Sequence, residues 1–270
     1  MPELPEVETI KRQISEDLVD AEVIEADSHE SAKFTPAREI VGTKLGELRR
    51  RGKFLIVSTD DDRELIVHLG MTGKLRLVET PTEDKYIRAW WKIELESGAY
   101  QFLEFSDVRR FGRIKVVKTG DYKDMATLNS MGPEPFDEKL DNQTFWENLK
   151  KSKRHVKTNL LSQKPIAGVG NIYADEALWH AQINPKAKTI SKKKAEKLLV
   201  AIRQVLQQGI DNGGTTLRDY RDAYGQSGSN QRQLYAYGRS GEECFRCSKI
   251  MKSDTIDART TTWCPQCQKK

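Results

Sequence analysis

The stretch KLGELRRRGKFLIVSTDDDRELIVHLG, which runs from Lys44 to Gly70, decides the fold class of this chain. Its apolar residues alternate with polar ones or form short β-branched runs, and Gly52 and an Asp-rich segment interrupt these runs. Such runs, bounded by turn-forming residues, are typical of short antiparallel strands. The stretch therefore predicts consecutive strands that are joined by tight turns.

The same pattern extends over the N-terminal part of the chain. Similar runs recur from AEVIEA, which begins at Ala21, to RIKVVK, which ends at Lys118. Many short strands separated by turns favour an antiparallel sandwich or barrel. Apolar residues at helical spacing predict one leading helix before it: Leu4, Val7, Ile10, Ile14 and Leu18.

The second half of the chain has a different character. Gly132-Pro133-Glu134-Pro135 suits neither a helix nor a strand, and helical spacing of apolar residues follows it. The Gly-, Ser- and Asn-rich segment 213–241 is too long for an ordinary connection, which indicates a functional loop. We therefore predict an α+β protein with domains at 1–130, 131–240 and 241–270.

Composition limits the classes of function. The 270 residues include 45 Lys and Arg against 40 Asp and Glu, a net charge of +5 that is compatible with nucleic-acid binding. No apolar run approaches the length of a membrane span, and the first residues do not resemble a signal peptide, so we expect a cytoplasmic protein. The 4 cysteines all lie in the last tenth of the chain, which excludes a disulfide framework for the whole fold.

Those cysteines form two CxxC pairs. Cys244 and Cys247 are followed, after a hairpin-length interval, by Cys264 and Cys267. Four thiolates in this arrangement predict one closed, structural Zn²⁺ site, with an iron centre as the weaker alternative. Arg259 lies between the pairs, where it could carry its charge to a phosphate or remain a solvated strand residue.

The N-terminus MPELPEVETI has two interpretations. Proline and acids suit the first turn of a helix, and this explanation needs no chemistry. Alternatively, removal of Met1 would leave Pro2 with a secondary amine, which is far less protonated at neutral pH than a lysine. An amine that attacks a sugar C1′ forms a cationic iminium, and Glu3 could transfer protons beside it. This pairing fits cleavage of a glycosidic bond followed by elimination.

The two ends of the chain together resemble the bacterial formamidopyrimidine-DNA glycosylase family, which repairs oxidised purines. Further motifs support the resemblance along the whole chain: RRGKFL, HLGMTGKLR, SDVRRFG, MGPEP, AGVGNIYADEALW, GGTTLRDY and YGRSGEEC. Within the superfamily, Leu4 distinguishes this chain from the endonuclease VIII branch, which typically begins with glycine there and lacks the HLGM element. The resemblance implies a β-sandwich with a leading helix, then a helical domain with a helix-two-turn-helix and a zinc hairpin.

The resemblance also implies roles for residues near the N-terminus. Pro2 would be the Schiff-base nucleophile, Glu3 would transfer protons at the deoxyribose, and Glu6 would support the site. Lys53 would contact a phosphate beside the lesion and would help the elimination as a catalytic residue, although by itself a lysine in RRRGKF is more often a solvated turn residue. Met71, Arg109 and Phe111 match the residues that fill the void left by the flipped base; without the family, Met71 and Phe111 would be core candidates.

Residues in the second half match the DNA-binding part of the family. Asn171 and Arg259 would bind phosphates, and Lys157 aligns with a lysine that faces DNA, although its surroundings also fit a solvated basic face. The loop from about Thr215 to Tyr237 corresponds to a lid over the extruded base, with three candidate contacts: Thr215, Thr216 and Arg218.

Two departures from the family concern substrate recognition. KYIRAWWKIEL stands where the family usually has a His-x-His phosphate contact, and the lid tip GSNQ has no aromatic residue. The resemblance implies a monomeric N-glycosylase and β,δ-elimination lyase that acts on duplex DNA with oxidised purines or abasic sites, with no dissociable cofactor and no membrane partner. The alternatives are an oxidised-pyrimidine glycosylase of the endonuclease VIII type and a non-catalytic zinc protein that binds damaged DNA.

Overall fold

The computed structural model describes residues 1–269 and contains two compact units. The first unit combines Met1–Asn129 with the loop Asn212–Ser229, and the second combines Ser130–Asp211 with the chain from Asn230 onward. The loop therefore packs with the N-terminal part of the chain, although it follows the longest helix in sequence. The division into three domains made from the sequence stays a prediction.

The first unit is the predicted sandwich with its leading helix. Its elements in chain order are α1 (Leu4–Leu18), β1 (Glu22–Ser28), a 3-10 helix (Thr35–Ile40), β2 (Leu45–Arg51), β3 (Phe54–Thr59), β4 (Arg63–His68), β5 (Lys74–Val78), β6 (Ile87–Glu94), β7 (Tyr100–Ser106), β8 (Arg113–Lys118) and the short α2 (Ala126–Asn129). The strands form two four-stranded sheets, ordered β1-β6-β7-β5 and β2-β3-β4-β8, and every pair is antiparallel.

One apolar core holds this unit together. Along β6, buried Ala89, Trp91 and Ile93 alternate with less buried residues, which is the pattern of a strand with one face on a core. The apolar stripe of α1, including Ile10 and Ile14, belongs to the same buried cluster. The hydrophobic effect therefore fastens the leading helix to the sandwich, and the N-terminal residues are positioned by the core.

The second unit is helical and ends in a hairpin. Its elements are α3 (Asn142–Lys150), α4 (Val156–Leu161), α5 (Asn171–His180), α6 (Lys192–Asp211), a 3-10 helix (Asn230–Gln233), β9 (Lys252–Ile256) and β10 (Arg259–Trp263). Helices α5 and α6 pack closely at Gly209, where a Cβ would lie 2.5 Å from the hydroxyl of Tyr173. Among the described residues, no helix is both long and apolar enough to cross a membrane.

Candidate active site and metal centre

The start of α1 buries two carboxylates. Glu3 is the N-cap residue, and Oε2 of Glu6 accepts its backbone N–H at 2.8 Å. Both side chains are 1% exposed, and Pro2 before them is also buried. The capping explanation from sequence is thus correct for the local structure. The capping role is compatible with a catalytic role for Glu3, which directly follows Pro2 in the chain.

Glu6 also binds the loop Asn212–Ser229. Its other oxygen, Oε1, accepts the backbone N–H of Thr215 at 2.6 Å, so the two oxygens serve two different segments. The preceding residue must be glycine, because a Cβ on Gly214 would lie 2.9 Å from Cγ of Glu6, and its φ is +89°. Of the predicted lid residues, Thr215 is buried, Thr216 is half-buried and Arg218 is exposed.

Glu8 is a site residue that its sequence position did not reveal. Glutamate at that position would be solvated in an ordinary helix start, yet Glu8 is 8% exposed. Its oxygens accept from Nε of Arg50 at 2.8 Å and from Nε of Arg12 at 2.9 Å. Burial raises the pKa of Glu8, but the bond and charge of Arg50 outweigh burial, and the net pKa is lowered. The pair joins α1 to the end of β2, beside the turn that carries Lys53.

Lys53 lies in the turn between β2 and β3 and is largely buried, unlike a typical turn lysine. His68, at the end of β4, is close to it. Burial lowers the pKa of His68 to about 4, and the charges of Lys53 and Arg113 contribute. This imidazole is therefore neutral at pH 7. Its Nδ1 accepts the N–H of Gly70 at 3.3 Å, which leaves the ring hydrogen on Nε2.

The structure brings the predicted void-filling loops together. Phe111 is 49% exposed, which excludes a place in the core, and the guanidinium of Arg109 lies 4.7 Å from the centre of its ring. Met71, which is half-buried, lies in the adjoining turn. The two turns approach closely at Gly70, where a Cβ would lie 2.4 Å from the backbone N of Gly112.

Asp107 organises these turns and was not identified from sequence. Its carboxylate accepts the hydroxyl hydrogen of Thr72 and the backbone N–H groups of Arg109 and Gly112, the last at 2.6 Å. Arg88 donates from Nε to the Asp107 carbonyl at 2.9 Å. Arg88 belongs to the segment that replaces the His-x-His element, so that segment supports the same turn. The sequence feature that could have identified Asp107 was an acid in SDVRRFG, just before the RFG turn.

In the second unit, Asn171 and Arg259 remain compatible with binding an anion. Asn171 is the first residue of α5, and its Nδ2 donates to the carbonyl of Thr260 at 3.2 Å. Arg259 begins β10 and is exposed. The hydrogen bond to Thr260 therefore fastens the hairpin strand of Arg259 to the N-terminus of α5.

Lys157, which the resemblance aligns with a lysine that faces DNA, is buried in this structure. Its side chain is 1% exposed, and its ammonium lies 2.6 Å from Oδ1 of Asp175. It also donates to the carbonyl of Thr260 and the hydroxyl of Thr261. Burial raises the pKa of Asp175, and the charge of Lys157 opposes that rise. Lys157 therefore joins α4, α5 and β10 internally, and its contact with DNA stays a prediction.

The four cysteines form a compact cluster. Their sulfur atoms all lie within 4.8 Å of one another, and Sγ of Cys247 is 3.5 Å from that of Cys264. Four thiolates around a tetrahedral Zn²⁺ would be about 3.8 Å apart, since each Zn–S bond is about 2.3 Å. Burial, together with the thiols of Cys247 and Cys264, raises the pKa of Cys267 to about 12. The spacing of the four sulfur atoms fits a metal ion.

Two models of known protein families match this chain, one in its N-terminal half and one in its C-terminal half. Residues 1–114 match the Formamidopyrimidine-DNA glycosylase N-terminal domain, and residues 131–221 match the Formamidopyrimidine-DNA glycosylase H2TH domain. Formamidopyrimidine-DNA glycosylase from Deinococcus radiodurans is 40% identical over 282 residues, which cover 99% of this chain and 97% of that protein.

Solved structures agree over the whole length. The MutM (Fpg) protein from Thermus thermophilus superposes with a TM-score of 0.89 at 38% identity, covering 99% of this chain and 98% of that one. A MutM protein in complex with DNA containing carbocyclic 8-oxo-G superposes with a TM-score of 0.88 at 35% identity, covering 100% of both. The sequence and the fold agree with these relatives, and this chain belongs to the formamidopyrimidine-DNA glycosylase family.

Proposed function

We propose that this chain is a bifunctional DNA glycosylase and abasic-site lyase that excises 8-oxoguanine and formamidopyrimidines from duplex DNA. The observation that carries the proposal is the buried start of α1, where Pro2 and Glu3 are adjacent and Glu6 holds the cap. Names of relatives, and the lesion DNA bound to one solved neighbour, support an oxidised purine as substrate. They disfavour the endonuclease VIII alternative.

The chemistry begins when Met1 is removed and the nitrogen of Pro2 becomes a secondary amine. The amine forms a bond to C1′ and passes its N–H proton to Glu3, while the glycosidic bond breaks and the base leaves with the electron pair and takes up a proton from solvent. Opening of the sugar ring then gives an iminium, with the ring oxygen protonated from Glu3. The iminium withdraws electrons from C2′, so loss of a C2′ proton expels the 3′ phosphate. A second elimination expels the 5′ phosphate, and water releases the amine.

Side chains around Lys53 provide contacts for the phosphates beside the lesion. The ammonium of Lys53 supplies charge, and the neutral ring of His68 presents its Nε2–H as a hydrogen-bond donor. A neutral donor next to a cation binds a phosphate oxygen without adding repulsion to Lys53. In the second unit, Asn171, Arg259 and the N-terminus of α5 are proposed to bind further phosphates.

Met71 and Phe111 are proposed to fill the space left by the flipped base, with Arg109 facing the orphaned partner base. Arg109 lies over the exposed ring of Phe111, and Asp107 holds the turn that carries both, so an apolar group and a cation are presented together on a fixed turn. Extrusion of a base costs a few kcal/mol, and an apolar wedge offsets part of that cost.

Phe111→Ala should weaken binding to an 8-oxoguanine duplex by roughly tenfold, about 1.4 kcal/mol, and should have much less effect on a duplex with a preformed abasic site. The abasic site has less stacking to lose, so it needs less of the wedge. Fluorescence anisotropy on the two duplexes measures the difference. Val108→Ala, in the same loop and similarly exposed, is the matched control. Equal losses on both duplexes would show that Phe111 serves stability and not void filling.

The four-cysteine cluster is proposed to hold one structural Zn²⁺. All four ligands are protein thiolates, so no position is left for water or substrate, and the ion takes no part in the reaction. Its contribution would be to order the hairpin that carries Arg259. We also propose that the protein acts as a monomer on duplex DNA, in the cytoplasm with the nucleoid.

Borohydride trapping tests the proposed function. Incubation with an 8-oxoguanine duplex and borohydride should give a covalent complex whose mass and peptide map place the DNA on Pro2. A form that retains Met1 should give none, because its Pro2 nitrogen is an amide. A parallel reaction on a thymine glycol duplex should be slower. Attachment at Lys53 would refute the nucleophile, preference for thymine glycol would support the pyrimidine alternative, and no reaction on any duplex would support the non-catalytic one.

A further inference from the structure

One glutamine of α1 fastens the loop Asn212–Ser229 to the helix. Nε2 of Gln13 donates to Oδ2 of Asp222 at 2.7 Å, and its Oε1 accepts the N–H of Ala223 at 3.0 Å. The hydroxyl of Tyr224 donates to the Gln13 carbonyl at 2.8 Å. Three hydrogen bonds therefore join a single helical residue to three consecutive loop residues.

Asp222 uses its second oxygen to shape the loop itself. Oδ1 accepts the N–H of Tyr224 at 3.0 Å and that of Gln226 at 2.7 Å, while Oδ2 is taken by Gln13. The side chain is 9% exposed, and a buried carboxylate needs such donors to offset its lost hydration. The internal order of the loop and its attachment to α1 therefore depend on one group.

A second attachment lies two helical turns away on the same face of α1. There Glu6 accepts the N–H of Thr215, and the hydroxyl of Tyr220 approaches the Glu6 carbonyl at 3.4 Å. Residues seven apart on a helix share a face, so Glu6 and Gln13 present one continuous edge to the loop. Between the attachments, Leu217, Arg218 and Asp219 are exposed.

We propose that Gln13 and Asp222 are positioning residues that hold the segment 215–219 in place beside Glu3 before DNA binds. They act through the loop, since neither is adjacent in sequence to Pro2 or Glu3. The inference rests on the proposed function in one respect, namely that the segment 215–219 contacts the extruded base. At an abasic site no base is present for this segment to contact. Loss of the Gln13–Asp222 bond then slows base excision and leaves strand cleavage at a preformed abasic site unchanged.

Gln13→Ala tests the inference. Hydrogen exchange should show protection of residues 214–226 falling by at least about tenfold, because the substitution removes the bond to the charged Asp222 and also the bond from the Ala223 N–H, while α1 keeps its protection. Single-turnover excision of 8-oxoguanine should slow by a similar factor, and cleavage of a preformed abasic duplex should change less than twofold. Exposed Glu16→Ala, one turn farther along α1, is the matched control and should change neither rate.

A paired substitution distinguishes positioning from general damage to the helix. Gln13→Glu alone should loosen the loop, since two carboxylates then face each other. Gln13→Glu with Asp222→Asn restores the bond with donor and acceptor exchanged, because the amide introduced in the loop can donate to the carboxylate introduced on α1 and still accept the two loop N–H groups. The double variant should recover both protection and excision.

Three results would overturn the inference: unchanged loop protection in Gln13→Ala, equal slowing on both substrates, or no recovery in the double variant. Hydrogen exchange needs no DNA, so it tests the attachment even if wild-type protein proves inactive on every lesion. Inactivity of the wild type would overturn the proposed function alone.

Discussion

Glu3→Gln should reduce excision of 8-oxoguanine by about a thousandfold, within the usual range for loss of a general acid and base. Glutamine has nearly the size of glutamate, and its backbone N–H can still donate to Glu6, so the cap at the start of α1 should persist. It cannot exchange a proton with the sugar oxygen or with C2′. Single-turnover kinetics on a lesion duplex measure the rate, and anisotropy should show affinity within a few-fold of wild type.

Two controls define this result. Glu16→Gln removes an exposed acid from the same helix and should leave the rate unchanged. Circular dichroism should show equal folding of both variants. Wild-type excision by Glu3→Gln would remove Glu3 from the mechanism, and the buried carboxylate would then serve only as a helix cap.

Cys244→Ser should abolish stoichiometric metal binding and lower affinity for lesion duplex by more than about tenfold. Cys244 is 1% exposed and packs in a small apolar cluster with Trp179 and Met251. So small a cluster depends on the metal for its order, and the strand of Arg259 should lose its position with it. Metal analysis and salt-dependent anisotropy measure the two effects.

A comparison with Arg259→Ala distinguishes the contribution of the metal to DNA affinity from that of the arginine. That variant should keep its metal and lose about one unit of salt slope, as expected for one phosphate contact. Cys244→Ser should lose more, because the whole hairpin is affected. Thermal unfolding of the β-sandwich should be little changed, since all 4 cysteines lie outside it. A metal-free protein with full affinity and an unchanged salt slope would contradict a DNA-binding role for the hairpin.

The helices and strands could largely be predicted from the local sequence pattern. Strands β1 to β8 occur where alternation or short β-branched runs predict them, and helices α3 and α6 occur where helical spacing predicts them, because burial of one face imposes such periods on the sequence. Helix α5 is buried on nearly all sides and has no such period. The 3-10 helix Thr35–Ile40 was not predicted. Its Ala37 and Ile40 are too few to form a periodic pattern, and they are buried by contact with the sandwich core.

For the candidate site, some residues could be predicted from the sequence and others could not. Pro2, Glu3 and the cysteines were identified because their chemistry depends on residue type and spacing along the chain. Lys157 was matched to a family lysine that faces DNA, but the sequence did not show that Asp175 and Thr261 bury it from distant positions. Nothing in a local window shows a partner that far away.

The sequence by itself determined the fold class, the two CxxC pairs and the presence of a proline beside an acid near Met1. Those features depend on short-range periodicity and on the identity of neighbouring residues. Tertiary structure alone decided that Glu8 meets Arg50, that Asp107 braces two turns, and that Gln13 holds the loop through Asp222. Each of these is a polar group removed from water. Its role follows from partners that only the folded chain brings within hydrogen-bond distance.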